Sequence, residues 1–425
     1  MKRTHLKYIL SFPFLVLSFM INAQTELTLT YTQYMDTIRE RNLVYAAEKL
    51  NLPIAEANVR SAKIFNDPSL SVEYANNNDA KMLMGQSISG ELSKTFSFGK
   101  RTASIDLAKS EKALSMALLD DFFRNLQADA TITYCNALKF MQLYEVKLSS
   151  FNSINQLALA DSIKFALGKI MEVDAFQSRL EAGIAYNELL QAWDDLYNSC
   201  MALNILLGKF SVDTIYFPQG NLGEIKRTFS QTELLSIALD KRTDLVAAKY
   251  NIEIAQKAKT LAQRERGLEF DLALGYNYNT EVRNELAPAP QFSGLTLGLS
   301  IPLKFSSANK GIVETAKLKI NQAEAYFKQA QIQVQTEVIQ RYNTYTSLSF
   351  QLERYNTGML EKAKAVIEGK IYSYNRGETS LLEVLNAQRT YNDISMLYIE
   401  TLFNYTSALV NLETSAGVWD ISIDK

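Results

Sequence analysis

Three hydrophobic patterns divide this chain. The first is helical. Lys100 to Leu167 is a run of 68 residues without glycine or proline, and Ile312 to Thr357 is another of 46. Helical throughout, the longer run would reach about 100 Å at 1.5 Å per residue, far beyond the few turns of an ordinary globular helix. Within the second run Ala316, Ile320, Ala323, Phe327, Ala330 and Val334 step by 4, 3, 4, 3, 4, the seam of a coiled coil. Its alanines allow helices to approach closely.

The second pattern has period two and lies where the helical runs break. From Ser87 to Phe96, Ile88, Leu92 and Phe96 point one way, with Gly90 and Lys94 between them, and Ser87, Ser89, Glu91, Ser93 and Thr95 point the other. Leu295, Leu297, Leu299, Ile301 and Leu303 alternate with Gly294, Thr296, Gly298, Ser300 and Pro302. Ten alternating residues match a transmembrane β-strand, apolar to lipid and polar to lumen. Partner strands over 69–76 and 271–278 place Tyr74, Tyr276 and Tyr278 on the apolar side, where a membrane interface suits them. Two hairpins have four strands, too few to close a barrel, and open edges are not tolerated in lipid. Strands that span a membrane must therefore be shared among several chains. The same pattern also fits half-buried hairpins on a soluble protein.

The third pattern is at the start. Lys2, Arg3 and Lys7 precede a largely apolar stretch from Tyr8 to Met20, and Ile21-Asn22-Ala23 forms a small-residue cleavage site. This is the design of a secretory signal peptide over 1–23, and its 13-residue core is too short to span a bilayer. No later stretch reaches 18 consecutive apolar residues, so any crossing falls to strands.

A repeat with a period near 200 organises the rest. Ala47, Asn51, Ile54, Ala55 and Ala62 recur as Ala247, Asn251, Ile254, Ala255 and Ala262; Phe165-x-x-Gly168 recurs as Tyr374-x-x-Gly377; Ala202-Leu203 recurs as Ala408-Leu409. So long a period is a duplicated half-domain, not a solenoid. The expected layout is a first repeat over 24–208 with long helices over 101–166 and 170–207, a polar linker over 209–227, a second repeat over 228–417 with helices over 311–375 and 379–416, and a tail over 418–425.

Composition narrows the function. Loss of Lys2, Arg3 and Lys7 leaves 41 Lys and Arg against 46 Asp and Glu, a net charge of −5 with no basic patch for nucleic acid. The single histidine, His5, leaves with the signal, which removes imidazole as a base or metal ligand. There is no glycine-rich phosphate loop and no distinct acid pair, so an enzyme is not expected, nor a cofactor. Cys135 and Cys200 lie in separate helical patterns; they read as buried small hydrophobes, with a disulfide as the alternative.

Four segments resemble the TolC superfamily of outer-membrane efflux proteins: Asn66-Asp67-Pro68-Ser69-Leu70, Phe98-Gly99-Lys100-Arg101, Ile301-Pro302-Leu303, and Tyr374-Asn375-Arg376-Gly377 through Leu382-Glu383-Val384-Leu385-Asn386-Ala387-Gln388. The resemblance covers essentially the whole mature chain. It implies a mainly α fold with membrane β: a homotrimer in the outer membrane lipid that shares a twelve-stranded barrel and continues as a helical tunnel across the periplasm. It also implies a periplasmic membrane-fusion adaptor and an inner-membrane pump of the RND type. Phe-Gly-Lys-Arg and the Asp-Pro step before the strand look most like the CzcC/CusC cation-efflux branch.

The resemblance also places the narrow end of the tunnel. Inward carboxylates fall six residues after the turn glycines, at Asp174 and Glu383, where the family's second acid is replaced by Gln177 and Asn386. A ring of such charges favours cations; an acid near a helix N-terminus is also favoured by the helix dipole alone. Gly168 and Gly377 suit tight turns, and Phe165 and Tyr374 are placed to pack the closed end or an ordinary core. The rival reading, a periplasmic coiled-coil scaffold or adaptor, explains the helices but not the two matched hairpins.

Overall fold

The computed structural model describes residues 25–79, 82–209, 214–223, 225–303, 308–421 and 423. The signal peptide expected over 1–23 lies outside them, as does part of the expected tail.

Each half opens with a short strand, β1 (Thr25–Leu29) and β4 (Thr214–Pro218), and the two pair in parallel. β4 lies inside what reads as a polar linker; Ile215 and Tyr216 are buried, so the segment is part of the core and not a tether. Short helices follow: α1 (Tyr31–Arg41), α2 (Leu43–Lys49) and α3 (Asn51–Ala62) in the first half, α6 (Gln231–Lys241) and α7 (Thr243–Arg264) in the second. Pro53 explains the extra break. Its missing N–H would have bonded the Lys49 carbonyl, and the chain parts at Leu50, whereas Glu253 at the repeat position leaves α7 continuous.

The hairpins are β2 (Ser69–Asn78) with β3 (Leu83–Ser97), and β5 (Glu269–Asn279) with β6 (Phe292–Ser300). They join into one antiparallel sheet in the order β2-β3-β5-β6. β6 stops before Pro302, which cannot donate to a ladder. The sheet does not close on itself, so β2 and β6 keep free edges.

In the first half the long helix is continuous, α4 (Lys100–Ala166, 67 residues), and returns as α5 (Glu172–Leu206). In the second half the single helix expected over 311–375 is two: α8 (Ala308–Asn356) and α9 (Met359–Asn375), before α10 (Leu381–Ala416). Gly358 parts them with φ +89°, a left-handed conformation that an L side chain rarely adopts. The coiled-coil seam faces inward on α8: Ala316 and Val334 are buried and Ile320, Ala323, Phe327 and Ala330 are half-buried. At mid-height the main core gathers Tyr34, Tyr134, Leu138, Leu352, Tyr405 and Leu409. The Tyr134 hydroxyl shares its one proton between the Leu29 and Gln219 carbonyls, at 2.8 and 2.9 Å, and Tyr405 donates to the carbonyl of Ile225. Buried hydroxyls thus fasten the connecting segments to the helices. Cys135 and Cys200 are both buried and unbonded, and burial pushes each thiol up to about 12.

Candidate functional site: helix tips and strand faces

At one end of the molecule two turns reverse the long helices. α4 stops at Ala166 and Gly168 takes φ +68°; α9 stops at Asn375 and Gly377 takes φ +75°. The closures match. Lys169 N–H bonds Lys164 O and Gly168 N–H bonds Phe165 O; Glu378 N–H bonds Ser373 O and Gly377 N–H bonds Tyr374 O. This is the glycine termination that satisfies the last helical carbonyls. A Cβ at either glycine would meet open space, so it is backbone conformation that calls for glycine here.

The side chains diverge. Tyr374 is half-buried and donates its hydroxyl to Asp161 Oδ1 at 2.9 Å, linking α9 to α4. Asp161 is fully buried; Lys164 Nζ lies 3.4 Å from the same oxygen and 4.3 Å from the Tyr374 ring, and Oδ2 has no hydrogen-bond partner. Burial first, then the bond to Asp161 and the charges of Asp161 and Asp174, raise the Tyr374 hydroxyl, which stays a donor at neutral pH. Beneath it Leu157, Ile367, Leu381, Val384 and Leu385 form a separate apolar cluster. Phe165, at the repeat position of Tyr374, is exposed and has no hydroxyl to make this link.

Glu383 is exposed in the first turn of α10. It is ion-paired with Lys370 and accepts from Thr379 Oγ1 at 2.7 Å. The Lys370 bond, then that from Thr379, hold its carboxyl below the ordinary carboxylate range. Asp174, half-buried in the first turn of α5, has no hydrogen bond or ion pair among the described residues. Two equivalent acids thus differ in charge balance. Asp161 and Lys370, which the motif reading passes over, sit one helical turn before Phe165 and Tyr374, and that shared spacing was the available signal.

At the other end the register divides the sheet cleanly. Leu70 lies opposite Leu92, Tyr74 opposite Ile88, Phe96 opposite Phe270, and Leu274 opposite both Leu92 and Leu297, so these share one face. Leu295 and Leu297 are 75% and 73% exposed, an apolar face with nothing of its own chain against it. The opposite face carries Glu73, Glu91, Glu269 and Asp271 among serines, threonines and glycines, with no lysine or arginine among its described strand residues. An apolar outside, an acidic polar inside and free edges are the make-up of part of a membrane barrel. Among the described residues no helix is long and apolar enough to cross a membrane, and no group of His, Cys, Asp or Glu is placed to hold a metal ion.

Long paired helices joined to an open, two-faced sheet are an architecture shared with known proteins. Residues 234–418 match the family model described as outer membrane efflux protein. The cobalt-zinc-cadmium resistance protein CzcC of Cupriavidus metallidurans is 23% identical over 378 residues, 88% of this chain and 86% of that protein. Outer membrane protein TolC of Vibrio cholerae is 21% identical over 75% of this chain and 70% of its own length. A CusC crystal structure shares the fold with TM-score 0.72 at 15% identity, covering 91% of this chain and 92% of that one. The Campylobacter jejuni CmeC outer membrane channel gives 0.71 at 16%, covering 91% and 85%. Over residues 234–418 the chain matches the outer membrane efflux protein family, and over most of its length it is similar to TolC-like outer-membrane efflux proteins. It shares the fold of these outer-membrane channels over about nine-tenths of its length.

Proposed function

We propose that this chain is one protomer of a homotrimeric efflux channel that conducts cations outward from a periplasmic adaptor and an RND-type inner-membrane pump. The carrying observation is the two-faced sheet: an apolar band outside, and Glu73, Glu91, Glu269 and Asp271 inside, where the described strand residues include no lysine or arginine. Three copies supply twelve strands and satisfy the edges of β2 and β6. Rings of carboxylates concentrate cations and repel anions, and similarity to a cobalt-zinc-cadmium resistance protein fits metal cations as cargo. Residues 24–208 and 228–417 act as the two repeats. The protein works as a conduit and catalyses no reaction, and ions pass through it without being held.

Asp174 and Glu383 line the periplasmic mouth in this reading, with Phe165, Gly168, Tyr374 and Gly377 shaping its closed form. The Tyr374–Asp161 bond ties α9 to α4, so the tips part only when it breaks. Loss of one partner leaves a buried carboxylate short of a donor, at a cost of about 1–3 kcal/mol. The test is planar-bilayer recording of protein extracted from outer membranes in mild detergent, after its assembled mass is measured. A trimer with cation preference is expected, and Tyr374→Phe should raise single-channel conductance clearly while Phe165→Ala changes it little. A monomer soluble in the periplasm without detergent would sink the channel and favour a scaffold.

A further inference from the structure

The lipid-side face of the sheet carries one charge among its described strand residues: Lys94. It lies on β3 opposite Leu272, between Leu92 and Phe96, and makes no ion pair with any described residue. β3 is an inner strand, so a neighbouring protomer that pairs with β2 or β6 does not cover it. A cation on that face is costly at the bilayer midplane and nearly free at the interface. Lys94 is three residues from the end of β3, close to where α4 begins, and thus at the periplasmic edge of the membrane.

Two aromatic rings and a second cation surround it. Lys94 Nζ is 5.9 Å from the ring centres of both Phe65 and Phe96. The Arg101 guanidinium is 3.9 Å from the centre of the same Phe65 ring. Its Nε and Nη2 donate to the Lys63 carbonyl at 3.0 and 2.7 Å, which fixes the plane of the fork and leaves its other N–H groups uncommitted. Phe65 is 64% exposed, an anchor suited to the boundary between acyl chains and headgroups. An oriented guanidinium and an unpaired ammonium meeting one exposed ring, beside an apolar strand face, match a phosphodiester with acyl chains attached.

We propose that Lys94, Arg101 and Phe65 form a binding site for the phosphate of a phospholipid in the periplasmic leaflet, with its acyl chains along Leu92 and Leu272. An anionic headgroup such as phosphatidylglycerol fits best, because it brings no ammonium of its own to compete with the two cations. The site rests on the sheet spanning the outer membrane.

The test is native mass spectrometry of the full-length protein extracted in mild detergent, with phosphatidylglycerol, diacylglycerol of the same chains, or inorganic phosphate added. Phosphatidylglycerol should be retained by the wild type, with occupancy about tenfold lower in Lys94→Gln/Arg101→Gln, as loss of two charge-assisted bonds implies. Lys94→Arg should retain it, and diacylglycerol and inorganic phosphate should leave no adduct. Equal retention by the double variant, or by diacylglycerol, would overturn the site; displacement by inorganic phosphate would reassign it to a free anion. If the double variant does not assemble at wild-type mass, Lys94→Gln alone, a single change on an inner strand, makes the same comparison. A wild-type chain soluble without detergent would instead remove the membrane reading beneath the site.

Discussion

The two halves of this molecule repeat one plan and fasten it differently. Where the short helices meet the end of the long return helix, the first half uses a neutral joint. Buried Asn42 caps α2 through Tyr45 N–H and donates to the Leu206 carbonyl at the end of α5. At the same place in the second half stands Arg242, also buried, which donates to the Ser415 carbonyl at the end of α10 and pairs with Asp244 and Glu337. At the tips the pattern recurs: Glu383 is paired, Asp174 is not, and α9 is a separate segment beyond Gly358 where α4 runs unbroken. The second half thus trades a continuous helix for side-chain ties. Ties of that kind can open without unfolding a helix.

If the charged joint matters as this contrast implies, the halves should respond unequally to its removal. Arg242→Met strands Asp244 and Glu337, and a broken buried pair costs about 3 kcal/mol after allowance for the partial exposure of both acids. Asn42→Ala loses a cap and one hydrogen bond, about 1–2 kcal/mol. Thermal denaturation of the assembled protein in detergent should rank them in that order. Equal losses would mean that the charges in the second joint add nothing beyond a cap. The joint is also acid-sensitive. Burial alone would raise Asp244, but the hydrogen bond and charge of Arg242 outweigh it and the carboxyl is lowered. A depressed carboxyl stabilises the fold above its unfolded value, near pH 4, and that contribution is lost as pH falls through the folded value. Arg242→Met should therefore differ less from wild type in acid.

A second contrast concerns the glycines that close the return helices. Gly208 and Gly417 adopt φ +66° and +71°. A Cβ on Gly208 would stand 2.5 Å from the Arg41 carbonyl oxygen, whereas on Gly417 its nearest neighbour is Arg242 Cγ at 3.4 Å. Both alanine variants bear the left-handed penalty of about 1 kcal/mol, and overpacking against backbone adds about 1 more at Gly208. The expected loss is greater for Gly208→Ala, read by the same melting experiment.

What was legible in the chain follows from the range of each signal. The strands and the coiled-coil seam have periods of two and three and a half residues, and local patterning alone marks Ile88, Leu92 and Leu295 to Leu299 as one face. The parallel pairing of β1 with β4 joins the starts of the two halves and leaves no local trace in a segment that otherwise reads as polar. Glycine is ambiguous in the same way. Gly369 sits inside α9 and Gly183 inside α5 as ordinary helical residues, while Gly358 ends a helix, and only packing decides between them. At the helix tips, motif spacing reaches Asp174 and Glu383, but the partners of Tyr374 and Glu383 lie across helix–helix contacts. Asp161 and Lys370 emerge only when the tips are folded.

The smallest expected effect is the sharpest test of the unequal tips. Lys370 neutralises Glu383 within one protomer, whereas Asp174, which the proposed function also sets at the mouth, has no ion pair among the described residues. Lys370→Met frees the Glu383 carboxylate, and reversal potentials across a salt gradient should shift toward stronger cation preference; Lys370→Arg should not shift them. Glu383→Gln frees the lysine and should shift them the opposite way. The pH dependence carries a sign of its own. Because Lys370 and Thr379 hold the Glu383 carboxyl low, the pair persists as pH falls below the usual glutamate range and breaks only at the depressed value. In Lys370→Met the freed carboxylate titrates higher, so its added cation preference should fade at a pH where the wild-type pair is still intact. An unchanged reversal potential in Lys370→Met would show that Glu383 does not face the conducting path, and the difference between the tips would then be structural alone.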